Sequence, residues 1–203
     1  AARPDYGWLS EETEDDADRL ERDRVFVVDP IDGTRAFIDG HETWAHALAV
    51  VENGEAVAGV VFLPASGKLY AAARGRGATL NGQRIGVRPP PEAPADATLL
   101  ATKASFRPEL WPDGAPQIRR AYRPSLAYRL ALVAEGRFDG MLTLRDSWEW
   151  DIAAGAVIAS EAGAGVSDGR GRALRFNGAP PLLDGVMVAA PALHAELVAR
   201  RGP

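Results

Sequence analysis

Two aspartates stand three residues apart in Val27-Val28-Asp29-Pro30-Ile31-Asp32-Gly33-Thr34, at the end of a short apolar run. Carboxylates that close repel one another, and one is driven neutral unless a cation lies between them. Hard oxygen ligands of this kind suit Mg²⁺ or a similar ion. The same residues also make a polar turn, because Asp-Gly is a common turn pair. Gly33 permits close backbone approach to a ligand. A short helix starting near Thr34 turns its N–H groups toward a phosphate, or Thr34 simply caps it. Two more acidic stretches invite the same question. Ser10-Glu11-Glu12-Thr13 ordinarily reads as a solvated face. In Trp148-Glu149-Trp150-Asp151-Ile152-Ala153-Ala154-Gly155, Asp151 falls at a helix start, where capping accounts for it.

The elements that must position these acids are legible in outline. Glu11 to Arg24 is crowded with charge and reads as a surface loop or short exposed helix. Val25–Val28 reads as a buried strand that delivers the two aspartates. Ala45–Val51 and Ala56–Phe62 read as strands joined at Asn53-Gly54, a hairpin signal. Lys68–Ala73 and Ala78–Val87 extend the meander, with Asn81-Gly82 as a second turn. The prolines of Arg88–Pro94 cannot continue a central strand or helix. They mark a boundary between a metal-binding antiparallel half, 1–93, and an α/β half, 94–203, that completes the site. Beyond it, strands are expected at Thr98–Thr102, Phe138–Leu144 and Gly185–Ala190. Helices are expected at Leu126–Glu135, Ile152–Ala162 and from about Ala192.

Bulk properties narrow the function. A net charge of -5 leaves no basic footprint for nucleic acid or an anionic membrane. The absence of cysteine excludes disulfides, thiolate metal sites and cysteine nucleophiles, and fits a reducing, cytoplasmic setting. No apolar run approaches the roughly 18 residues of a membrane span. His41, His46 and His194 show no ligand spacing, and Glu161 and Asp168 read as caps or solvated acids.

In combination, SEET, VVDPIDGT and WDIAAG, in that order, resemble the inositol monophosphatase superfamily. The hairpin Gly75–Ile85 and the segment Leu132–Gly136 (LVAEG) extend the likeness over nearly the whole chain. The resemblance implies an α/β fold, a layered αβαβα sandwich. It implies a Mg²⁺-dependent, lithium-sensitive phosphomonoesterase holding two or three ions. It assigns Glu11, Asp29, Asp32, Asp151 and the carbonyl of Ile31 as metal ligands, with Glu12 in support. It makes Thr34, with Glu11, the holder of the catalytic water, and it implies that Asp32, Gly33, Thr34 and Asp151 meet the substrate. A small phosphorylated substrate is the expected partner, and a homodimer is the common assembly. The family also carries a helical segment before the SEET position, with a Thr-x-x-Asp element. Its helices are missing from this numbering, so an upstream segment is expected, and without it one face of the first sheet is bare.

Two local features bear on the substrate. The run after the acids is Asp32-Gly33-Thr34-Arg35-Ala36-Phe37-Ile38, nearer the DGTKEFI of 3′(2′),5′-bisphosphate nucleotidases than the DGTTNFVH of inositol monophosphatases. Leu144 stands where the latter have a glutamate that binds an inositol hydroxyl. A buried polyol hydroxyl without its partner loses about 1–3 kcal/mol. Arg129, just before LVAEG, and Arg35 are candidates for a second phosphate. Arg129 reads equally as an exposed helix cation. Lys103 and Ser105, just past a strand, line up loosely with a loop that the resemblance implies is substrate-contacting. The expected reaction is hydrolysis of 3′-phosphoadenosine 5′-phosphate to AMP. The alternatives are an inositol or broad sugar-phosphate phosphatase, and a non-catalytic module that binds phosphometabolites.

Overall fold

The computed structural model describes residues 3–202. Apolar strands whose residues alternate between buried and part-exposed build the first layer. Strands β1 (Gly7–Ser10), β2 (Arg24–Asp32), β3 (Ala45–Glu52), β4 (Glu55–Leu63), β5 (Lys68–Ala73), β6 (Gly77–Leu80) and β7 (Gln83–Ile85) lie in that order in one sheet. All neighbours are antiparallel except β1 and β2, which run parallel. Both Asn-Gly turns take positive φ at each residue, as a two-residue hairpin of this sheet's twist requires.

Helix α1 (Thr34–Ile38) follows β2 directly. The second sheet collects β8 (Thr98–Leu100), β9 (Arg119–Ala121), β10 (Gly140–Thr143), β12 (Gly165–Ser167) and β14 (Val186–Ala189), in the order β12-β14-β10-β8-β9. A two-strand ribbon joins β11 (Ser147–Trp148) to β13 (Leu182–Leu183). Helices α2 (Leu126–Ala134) and α3 (Glu149–Glu161) pack together between the two sheets. Helix α4 (Pro191–Arg201) covers the far side of the second sheet.

This layering explains the sequence of α3. Residues 152–159 (IAAGAVIA) are buried on every side. A helix with no polar face belongs in an interior, and this one is caught between two sheets. Strands β10 and β14 are buried along their whole length for the same reason. The main core fills the space around α2 and α3. A second core lies under α4, around Trp111, Leu99, Met187 and Leu193. The outer face of the first sheet keeps Trp8, Leu48 and Leu69 largely exposed.

Five short strands escape the sequence reading: β1, β9, β11, β12 and β13. Each has four residues or fewer, so its pairing is decided by a distant partner rather than its own pattern.

Candidate metal centre

The spacing of Asp29 and Asp32 is awkward for a strand. Residues three apart point to opposite faces of a regular sheet. Here the register slips: β2 advances from Asp29 to Asp32 while β3 moves only from Ala47 to Ala45. Three steps on one strand oppose two on the other, which is a β-bulge, and Pro30 sits inside it. A proline cannot donate to the ladder and is tolerated at such a bulge. The extra residue returns Asp32 to the inward face that Asp29 shares with Val25 and Val27. Both aspartates are buried.

Asp32 is fixed from the other side by α2. The Ser125 hydroxyl donates to its Oδ2 at 2.7 Å, and the amides of Ala127 and Leu126 donate at 2.6 and 3.2 Å. Asp32 therefore closes the N-terminus of a helix that begins 94 positions later, where a carboxylate is stabilised by free N–H groups and the helix dipole. Gly33 lies against the same point. Its φ is +89°, and a Cβ there would come within 3.2 Å of Ser125. Only glycine fits that turn without strain. Ser125 also caps α2 conventionally, accepting from the Tyr128 amide at 3.0 Å. A serine directly before an apolar helix is the sequence signal that could have found this position.

Helix α3 brings the third acid. Asp151 is its third residue, and Trp148 takes the cap position, so capping does not explain Asp151. One carboxylate oxygen from each of Asp29, Asp32 and Asp151 lies within 4.8 Å of the others. Glu11 follows β1, with its amide donating to the Val28 carbonyl at 3.3 Å. Its charge acts on both Asp29 and Asp151. Burial, then the charges of Asp32, Glu11 and Asp151, push Asp29 up to about 9. Burial, then Asp32 and Glu11, push Asp151 up to about 7. Burial raises Asp32 as well, against its three hydrogen bonds. No ion pair serves any of these aspartates among the described residues. A buried cluster of oxygen ligands with its own charge uncompensated fits a hard divalent cation.

The remaining predicted residues divide. The Thr34 hydroxyl donates to the Ile31 carbonyl at 3.0 Å, so the two sit together beside the bulge. Glu12 is exposed, with its amide on the Ser10 hydroxyl at 3.5 Å. Arg35 is exposed on α1 and its side chain makes no hydrogen bond or ion pair among the described residues. Arg129 is not the exposed cation one reading allowed. It is buried, its Nε donates to the Arg123 carbonyl at 2.5 Å, and it lies 4.5 Å from the Tyr122 ring centre. Glu161 holds the β5–β6 turn by accepting the Gly75 and Gly77 amides. Asp168 pairs with Arg172. His46 accepts a role unforeseen from sequence, its Nδ1 bonded to the Pro30 carbonyl in the bulge.

A cavity of about 320 Å³ lies between the 102–110 segment and residues 143–145, the last of which acts electrostatically on Asp151. Thr102, Ser105, Arg107, Thr143, Leu144 and Arg145 contribute to its wall. Arg145 is close enough for its charge to favour ionised Asp151. Neither Arg107 nor Arg145 forms an ion pair among the described residues.

With this geometry in place, the relatives carry weight. The inositol monophosphatase family profile matches residues 1–202. The chain belongs to that family. An inositol-1-monophosphatase of Rhizobium meliloti is 39% identical over 184 residues, covering 84% of this chain and 66% of its own length. A fructose-1,6-bisphosphatase/inositol-1-monophosphatase of Thermotoga maritima is 37% identical over 151 residues, 74% of this chain and 59% of its own. The chain therefore spans just under two thirds of these relatives. The solved IMPase of Thermotoga maritima superposes with a TM-score of 0.78 at 31% identity, over 98% of this chain and 74% of that one. The expected sandwich architecture is thus present. These relatives are named for inositol and fructose phosphates, and none of the three for bisphosphate nucleotides. No helix among the described residues is long and apolar enough to cross a membrane.

The acids make a pH prediction for the metal-free protein. Asp29 and Asp151 keep their protons in the folded state at pH values where the unfolded chain has lost them. The folded state binds more protons, so stability falls as pH rises. Each such proton contributes a slope of about 1.4 kcal/mol per pH unit. Both act from the ordinary carboxylate range to about 7, and Asp29 alone continues to about 9. Thermal unfolding from pH 5 to 9 without divalent cation is expected to show a steeper loss than the Asp29→Asn variant. Equal slopes would contradict the assignment.

Proposed function

We propose that the protein is a Mg²⁺-dependent phosphomonoesterase for phosphorylated sugars or polyols, with a sugar bisphosphate favoured over inositol 1-phosphate. The convergence of Asp29, Asp32 and Asp151 within 4.8 Å carries the reading. Glu11, Asp29, Asp32, Asp151 and the Ile31 carbonyl would hold the cation. When bound, Mg²⁺ in such a site offsets phosphate charge and lowers the pKa of a water. Thr34, with Glu11, orients the water for attack on phosphorus. Gly33 allows the phosphate to approach the backbone at the head of α1. Asp151, whose ionised form the Arg145 charge favours, would face the leaving alcohol.

Substrate choice follows from the cavity that Arg145 lines. Leu144 offers no acceptor to an inositol hydroxyl, whereas Arg107 and Arg145 offer two cations to a second anionic group. A sugar bisphosphate meets both. Nucleotide bisphosphate hydrolysis, the reading suggested by DGTRAFI and Arg129, is less well supported. Arg129 is buried and spends its Nε on a carbonyl, and the relatives are named for other esters.

A phosphate-release panel tests the reading. Fructose 1,6-bisphosphate is expected to exceed both inositol 1-phosphate and 3′-phosphoadenosine 5′-phosphate in kcat/KM. Arg145→Ala is expected to cost the bisphosphate about 10-fold, the loss of one charge-assisted contact of about 1.5 kcal/mol. The same variant leaves the monophosphate nearly unchanged. Preference for the nucleotide would overturn the substrate class. Absence of Mg²⁺-dependent release from any ester would overturn the enzyme reading.

A further inference from the structure

Arg19 lies in the run Glu11-Glu12-Thr13-Glu14-Asp15-Asp16-Ala17-Asp18-Arg19, which reads as solvated, yet it is only 2% exposed. All three guanidinium nitrogens are used. Nε and Nη2 donate to the two Asp15 oxygens at 2.6 and 2.8 Å. Nη1 donates to Asn177 Oδ1 at 2.6 Å, and Nη2 also to the Gly178 carbonyl at 2.9 Å. Asn177 returns a bond from its Nδ2 to the Arg19 carbonyl at 3.1 Å.

The chain of contacts then passes to the metal centre. The amides of Asn177 and Gly178 donate to the Glu149 carboxylate at 2.6 and 2.8 Å. Glu149 is the first residue of α3 and is 1% exposed. Asp151 follows two residues later. At the other end, Asp15 lies in the loop that continues from Glu11, and Arg19 in the 3-10 turn Ala17–Glu21 that follows it. Asn177 holds a left-handed φ of 65°, a conformation sustained here by bonds on both its main and side chains.

We propose that Arg19 is a positioning residue for the metal centre. It clamps the loop after Glu11 to the 177–178 turn, and that turn fixes the first turn of α3, which carries Asp151. Glu11 is held to β2 by its amide on Val28 and α3 packs on the same sheet; the Arg19 network adds a tie between the loop after Glu11 and the first turn of α3. A planar five-donor fork is needed for it, and lysine cannot reproduce the geometry. Removing groups that orient ligands ordinarily lowers metal affinity by about 10- to 100-fold. The inference rests on the acids being a divalent cation site.

The test is Mg²⁺ binding by isothermal titration calorimetry, without substrate, on the parent, Asp29→Asn, Arg19→Lys and Asn177→Gly. All are measured below their unfolding temperatures. Parent binding that Asp29→Asn removes establishes the site. Arg19→Lys is then expected to weaken Mg²⁺ about 10-fold, and Asn177→Gly about threefold. Phosphate release by both is expected to recover at high Mg²⁺, with the substrate KM unchanged. If the variants bind Mg²⁺ within twofold of the parent, Arg19 is a structural staple only and the inference fails, whatever happens to Tm. If Arg19→Lys does not fold, Asn177→Gly decides alone, because glycine accepts the left-handed turn. If the parent shows no Asp29-dependent binding, the metal-site reading falls and this inference with it.

Discussion

Asp29→Asn is expected to abolish phosphate release while raising the stability of the metal-free protein. Asp29 is the least exposed of the three clustered aspartates, and its carboxylate faces Asp32, Glu11 and Asp151. An amide is nearly isosteric, keeps an oxygen to accept the Ile31 amide (2.8 Å in the parent), and carries no charge. Metal assistance supplies several kcal/mol of charge stabilisation in the transition state. A loss of about 4 kcal/mol corresponds to roughly 10³-fold in rate. Activity should therefore fall by at least about that factor at every Mg²⁺ concentration tried. Stability should move the other way, because the substitution relieves repulsion among buried acids. Calorimetric unfolding at pH 8 without cation, paired with phosphate release, checks both halves. Retained turnover would refute the metal assignment, and a lowered Tm would refute the repulsion.

Gly155→Val is expected to lower Tm by about 6–12 °C and to weaken Mg²⁺ binding as well. Gly155 lies where α3 crosses α2. A Cβ added there would sit 2.5 Å from Leu130 Cβ, an atom at the root of its side chain that cannot swing away. Alanine gains about 1 kcal/mol of helix propensity over glycine, but overpacking a dense core costs about 1–3 kcal/mol. Valine adds two methyl groups to the same gap. A net loss of about 3 kcal/mol corresponds to that shift in Tm for a chain of this size. The site is affected because α2 holds Asp32 at its N-terminus and α3 carries Asp151. Spreading the helices separates the two carboxylates. Unfolding scans with and without Mg²⁺ measure both effects. A variant as stable as the parent would show that α2 and α3 can part without cost.

The sequence made the acids visible because their chemistry is local. A strand ending on Asp29 and Asp32, and a helix carrying Asp151, follow from apolar patterning and turn residues. The way they meet was hidden. The bulge at Pro30 is a matter of register against β3. The capping of α2 by Asp32 depends on residues 93 to 95 positions away. Arg19 was masked by its acidic neighbours, since its burial depends on Asn177, 158 positions distant. The bisphosphate-nucleotide reading loses support for a related reason. Arg129 looks like an available cation in a short motif, but Arg123 and Tyr122 occupy it. The antiparallel meander and the α/β half were recoverable because their strands, helices and Asn-Gly turns are encoded within their own windows, whereas the layered sandwich followed from the family resemblance.

The bond from Ser125 to Asp32 also bears on the order of folding. The meander from β2 to β7 pairs sequence neighbours and closes short loops, whereas Asp32 waits for a segment 93 positions away. Contacts of such separation form only after their loop-closure entropy has been met. The hairpins are therefore expected to assemble first, with α2 docking afterwards onto an aspartate already displayed at the bulge. Cation affinity then arrives at the end of the pathway, so refolding followed by Mg²⁺ capture should lag behind refolding followed by sheet formation.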